Sequence, residues 1–223
     1  MMISPETYYE EYLKGKTPTQ IMTAIRGLKR EISHLKNTIE HPDYHATKCP
    51  SEDVQIFCCR EYLVRAKQAL IAAGGNYVPT QAELVATDID ENIPFISKIE
   101  FCIGGFFGGF ETRTYTIYPD RICMDVEHSL ILKPSNLGDT ELEEIDREYF
   151  LECFRDLHIG EWRKNYTPRR FGFEVLDGTQ WHLYVYFSNG HKPFKIEGSN
   201  DYPYNFDKLT ELFNIETMCD DEE

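Results

Sequence analysis

The chain has 223 residues, enough for one large domain or two small ones, and its 41% hydrophobic and 13% aromatic content supplies a packed core, which excludes global disorder. Seven cysteines without a C-x-x-C pair, and apolar runs far short of the roughly 18 residues of a membrane span, argue against a disulfide framework and against a membrane protein. The net charge of −15 is carried unevenly: residues 1–75 hold 10 Lys and Arg against 9 Asp and Glu, whereas residues 76–223 hold 13 against 29.

An acidic surface repels phosphate backbones, so direct binding of bulk nucleic acid is not expected. The same surface suits a protein partner with a basic surface. The N-terminal MMISPETYYEEYLKG has no basic region followed by an apolar stretch, so the reading is a soluble, cytoplasmic protein with no membrane partner.

In chain order, the first element is a short helix from about Pro5 to Leu13, with Tyr8, Tyr9, Tyr12 and Leu13 apolar and Gly15 as its stop. Thr17, Pro18 and Gln20 then form a helix start of the capping-box type. Ile21, Ile25, Leu28, Ile32, Leu35 and Ile39 follow at spacings of 4 and 3, a heptad seam that asks for a partner helix. Ser51 starts a second helix whose seam is Ile56, Cys59, Leu63, Ala66, Leu70 and Ala73, ended by Gly74-Gly75. Two matched seams favour an internal antiparallel hairpin over an intermolecular coiled coil.

The connecting loop carries His41, His45 and Cys49 at intervals of four, a zinc-compatible ligand set. Pro42 and Pro50 interrupt any continuous helix there, and a plain interhelical loop needs no metal. Residues 1–75 therefore read as a helical hairpin domain, 76–95 as a linker with Pro79 and Pro94, and 96–223 as an α+β sheet domain.

The sheet domain reads as two β-β-β-α units, 98–157 and 170–213, giving a mostly antiparallel sheet of five or six strands with two helices on one face. Between the first two strands lies FCIGGFFGGFETR. Gly104 and Gly109 have the outer spacing of a P-loop, but Phe110 and Glu111 stand where Lys and Ser/Thr would meet phosphate and magnesium. G-x-G-x-x-G is absent too, so the stretch reads as a hairpin turn and no cofactor is expected. Phe106 and Phe107 at its tip suit insertion into a partner's pocket if exposed; the preferred reading folds them into the core.

In CMDVEH, Asp125 and Glu127 share one face of a strand with His128 beside them, a set capable of holding a divalent ion or of acid–base work; charged residues on a wet strand face are the plainer reading. The helix expected over 139–157, capped by Asp139 or Thr140, turns Leu142, Ile145, Tyr149, Cys153 and Leu157 inward. It also aligns Glu141, Glu144 and Glu148 in a stripe that could mimic phosphates. EWRKNYTPRRFGF interleaves Arg163, Lys164, Arg169 and Arg170 with aromatic rings, which suits a nucleotide patch, or else a loop whose cations pair with the acidic helix before it. RRFGFEVL, residues 169–176, then reads as a strand.

The segment LDGTQWHLYVYFSNGHKPFKIEGSNDYPYNFDKL, about residues 176–209, resembles a recurring stretch in uncharacterised bacterial proteins in which D-G-T-x-W, a Ser/Asn-Asn/Asp-Gly hairpin and G-S-N-x-Y-P follow in order. The resemblance implies a hairpin leading into a capped helix and no activity. Two functions remain: a non-enzymatic interaction protein, such as an acidic inhibitor or regulator of a nucleic-acid-binding protein, or a metal-dependent nucleotide- or nucleic-acid-processing enzyme built on Asp125, Glu127 and His128.

Overall fold

A computed structural model of the chain describes residues 3–46, 49–105, 107–129, 146–172, 174–175 and 177–215, and the protein is α+β. The backbone divides into two compact units, 1–80 and 81–223.

In the first unit, α1 (Pro5–Tyr8) runs into a π-helical turn, Tyr9–Leu13, and Gly15 leaves it at φ +73°. Helix α2 (Pro18–Ile39) opens on the Thr17–Gln20 capping box, with both reciprocal hydrogen bonds made. Helix α3 (Glu52–Ala72) closes as expected: Gly74 takes φ +77° and the Gly75 amide donates to the Leu70 carbonyl, consuming an otherwise orphaned acceptor. Helices α2 and α3 pack as a hairpin around Leu13, Ile21, Ile25, Leu28, Ala66, Ala69 and Leu70. The N-terminal segment is tied to α3 by the Tyr62 hydroxyl, which accepts from the Ile3 amide and donates to the Ile3 carbonyl, and by Tyr8 stacked on Tyr62 at 4.4 Å.

In the second unit the span expected as a linker holds a helix, α4 (Gln81–Asn92), which Pro79 precedes and a 3₁₀ turn at Ile93–Phe95 follows. The two prolines bound a short helix instead of marking a loop. Six strands then form one sheet in the order β3-β2-β1-β5-β6-β4: β1 (Ile96–Gly105), β2 (Gly109–Ile117), β3 (Ile122–His128), β4 (Asn165–Tyr166), β5 (Gln180–Phe187) and β6 (Phe194–Ser199). Every pairing is antiparallel except β4 with β6. The turns are those the sequence signals: Gly109 at φ +76° in the β1–β2 hairpin and Gly190 at φ +82° between β5 and β6.

Strand periodicity sends Ile99, Phe101, Tyr115, Trp181, Leu183, Val185 and Ile196 to one side, where all are buried. Helices α5 (Arg147–Asp156) and α6 (Phe206–Leu212) supply the cover: Phe150 stacks on Tyr115 at 5.4 Å, and Phe213 lies 4.9 Å from Tyr115 and 5.5 Å from Phe101. The Tyr115 hydroxyl donates to the Phe213 carbonyl at 3.0 Å, anchoring the end of α6 to the sheet.

Two expectations change here. The buried face of α5 is Phe150, Leu151 and Phe154, rotated from the expected one, and Tyr149 is exposed because the aromatic residues one position on fill the space above Tyr115. Its N-cap is Asp146, which accepts from the Tyr149 amide; residues 139–145 lie outside the described residues. The strand expected from Arg170 is instead a 3₁₀ turn, Pro168–Phe171, ended by Gly172 at φ +83°, and two-residue β4 takes the strand place in the second unit.

Candidate functional site

The register that buries one face of the sheet assigns a chemically distinct set to the other. Lys98, Glu100 and Cys102 on β1 stand opposite Tyr186, Tyr184 and His182 on β5; β6 adds Lys195 and Glu197, and β3 adds Asp125 and Glu127. Asp125, Glu127, Gln180, Lys195 and Glu197 are exposed, and Glu100, His182, Tyr184 and Tyr186 are half-buried. Antiparallel sheets commonly leave one face to solvent, and here that face sets aromatic rings between carboxylates, pairs that stabilise neighbouring strands.

These side chains are organised. The Tyr184 ring stacks on His182 at 4.3 Å and carries the Lys195 ammonium at 4.4 Å; the Tyr186 ring carries Lys98 at 4.3 Å. The Tyr184 hydroxyl donates to Glu197 at 2.6 Å, Lys98 pairs with Glu100 at 3.0 Å, and His182 Nε2 lies 3.6 Å from the other Glu100 oxygen. The bond to Glu197, with burial second, pushes the Tyr184 phenol up to about 12, so the hydroxyl stays a donor throughout the physiological range. Beside this cluster is a concavity of about 410 Å³ lined by Cys102, Asn165, Gln180, His182, Tyr184 and Glu197 among others. Rings with cations already on their faces, ringed by carboxylates, form a surface that holds positive charge.

The residues singled out from the sequence scatter around this face. Asp125 and Glu127 lie on it, at its β3 edge, paired with Thr114 and Thr112. His128 pairs with Glu111 on the opposite face, its Nδ1 4.0 Å from that carboxylate, so alternation separates it from the two acids. Phe107 is 82% exposed at the β1–β2 tip, contrary to the preferred core reading, because it lies beyond the last strand pair, Gly105 with Gly109; Phe106 lies outside the described residues. Glu148 is exposed in the first turn of α5, where a carboxylate is favoured by the helix dipole, and Glu141 and Glu144 lie outside the described residues.

Arg169 is exposed and 3.8 Å from Glu174. Arg170 grips the buried Asp201 through two bonds of 2.8 Å and lies over the Phe171 ring at 4.3 Å. In the interhelical loop, His41 Nδ1 accepts from the Asp43 amide at 3.2 Å and Cys49 is an exposed free thiol. Among the described residues, no three His, Cys, Asp or Glu side chains gather closely enough to hold a metal ion. No described helix is long and apolar enough to cross a membrane.

Sequence reasoning missed Glu100, His182, Tyr184 and Glu197. The signal was present in QWHLYVYF, where the inward Trp, Leu, Val and Phe alternate with Gln, His, Tyr and Tyr, an outward series too aromatic for a merely wetted strand. Compared with known proteins, the chain matches no protein-family model, no curated protein and no solved structure.

Proposed function

We propose that the chain is a non-enzymatic interaction protein that receives a basic segment of a partner protein on the open face of its sheet. The observation that carries this reading is the pair of lysine-capped rings, Lys195 on Tyr184 and Lys98 on Tyr186, set among Glu100, Glu197, Asp125 and Glu127. In the free chain its own ammonium groups occupy places that fit a guanidinium. Arginine stacks on a ring and bonds a carboxylate in one plane, so exchanging a lysine for a partner's arginine is favourable. A partner whose basic groove handles nucleic acid presents such arginines, and the chain would act on it as an inhibitor or regulator by occupying that groove. The charge of residues 76–223, 13 basic against 29 acidic, speeds the approach of such a partner.

The test is calorimetric titration of the full chain with a short arginine- and glycine-containing peptide and with a single-stranded oligonucleotide. Peptide binding that weakens with salt, drops about tenfold in Glu100→Gln/Glu197→Gln and is absent for the oligonucleotide is expected. Oligonucleotide binding, or peptide binding indifferent to both substitutions, overturns the reading. Metal-dependent nucleotide turnover lost in Asp125→Ala with the fold intact would establish the enzymatic alternative instead.

A further inference from the structure

The sheet repeats one arrangement twice. Strand β5 carries Tyr184-Val185-Tyr186, and each of its two neighbours carries the tripeptide Lys-Ile-Glu: Lys98-Ile99-Glu100 on β1 and Lys195-Ile196-Glu197 on β6. Val185, Ile99 and Ile196 are fully buried, so alternation turns the residues on either side of each to the open face. The register sets Lys195 opposite Tyr184 and Lys98 opposite Tyr186. Each glutamate falls two residues further along its own strand, Glu197 opposite His182 and Glu100 opposite Tyr184. Each ring therefore has an ammonium over its face, Lys195 at 4.4 Å and Lys98 at 4.3 Å, and a carboxylate diagonally beside it. Both carboxylates are held in place, Glu197 by the Tyr184 hydroxyl at 2.6 Å and Glu100 by Lys98 at 3.0 Å.

We infer that the two rings form a paired cation receptor whose ligand is an extended segment of the partner protein with arginines at alternate positions, Arg-x-Arg. The inference rests on the reading that the open face receives a basic segment, and it adds the spacing that the segment must have. Two residues apart on one strand, Tyr184 and Tyr186 stand about 6.8 Å from each other. An extended chain repeats its side chains on one side at the same interval, so arginines at i and i+2 reach both rings from one backbone. Adjacent arginines, or arginines at i and i+3, leave an extended chain on opposite sides, and only one of them faces the sheet.

The two places are also separated sideways. Lys195 approaches its ring from β6 and Lys98 from β1, so two incoming guanidinium groups lie on different flanks of β5 and meet different carboxylates. Each would replace one ammonium and stack on one ring, in the plane that a guanidinium can share with a carboxylate. Once the first arginine is seated, the second binds as part of the same chain, which favours a matched spacing over a mismatched one without any further contact.

The experiment is calorimetric titration of the full chain with seven-residue threonine peptides that carry two arginines in adjacent, alternate or i, i+3 positions. Threonine favours extended backbone, and the three peptides have the same charge. The alternate peptide is expected to bind about fivefold tighter than the other two. Tyr186→Leu should erase that preference while leaving the circular dichroism of the sheet unchanged. Equal affinity for the three spacings, or a preference that survives Tyr186→Leu, overturns the inference; if binding still falls in Glu100→Gln/Glu197→Gln, the basic-segment reading stands without it. Spermidine binding as tight as that of the alternate peptide also overturns it, because the site would then take a small polyamine. Failure of every arginine peptide to bind overturns both the spacing and the reading beneath it.

Discussion

Replacing Arg170 by Met tests whether the basic-aromatic run is a binding surface or a clamp. The substitution keeps the aliphatic stem and removes the guanidinium, which lies over the Phe171 and Tyr166 rings and holds Asp201 through two 2.8 Å bonds. The Asp201 side chain is only 2% exposed, so a carboxylate is left in the protein without its counter-charge. Orphaning one partner of a buried pair costs about 3–5 kcal/mol; Arg170 is itself 20% exposed, and solvent screening brings the expected loss to about 2–4 kcal/mol. The assay is urea unfolding followed by tryptophan emission, because both tryptophans, Trp162 and Trp181, belong to the second unit, and the Trp181 indole donates to the Asp201 carbonyl at 2.9 Å. Arg170→Met/Asp201→Asn is expected to recover most of the loss, since the charge that lacked a partner is gone. A loss below about 1 kcal/mol, or intact stability with lost binding of the arginine peptide, refutes the clamp.

Three other outcomes are expected. Burial pushes the Tyr115 phenol up to about 12, against the pull of the Arg113 guanidinium, so it contributes stability that is complete below about pH 10 and lost as pH rises through 12, on the order of 2 kcal/mol; alkaline unfolding of Tyr115→Phe should lack that step. Gly198 lies where a Cβ would collide with the Trp181 indole, so Gly198→Ala should lower stability by about 1–3 kcal/mol in thermal unfolding, and no change would mean that the indole moves freely. Lys195→Ala uncovers the Tyr184 ring and should tighten binding of the arginine peptide severalfold by calorimetry, whereas weaker binding would show that Lys195 serves the ligand rather than standing in for it.

The parts of this protein that follow local rules were readable in its sequence. The Thr17–Gln20 cap, the seam from Ile21 to Leu35, the Gly74-Gly75 stop and the alternation of Trp181, Leu183 and Val185 each depend on neighbours within a few positions, and each is present. What failed depended on tertiary context. Phe150 displaces Tyr149 from the inner face of α5 because Tyr115 and Phe213, distant in sequence, leave a ring-sized space there. The bond from Arg170 to Asp201 was not foreseen because Asp201 lies 31 residues on, across a turn that no spacing rule connects to it. The open face was hidden for the same reason. Glu100, His182, Tyr184 and Glu197 come from three strands, and only the register brings them side by side.

The charge asymmetry visible in the sequence bears directly on the proposed sheet face. That face works through carboxylates that are exposed or half-exposed to solvent, so its affinity for the arginine peptide should fall as salt shortens the Debye length from about 10 Å at 0.1 M toward 3 Å at 1 M. Binding that holds unchanged across that range would mean that apolar contact, and not the carboxylates, carries it.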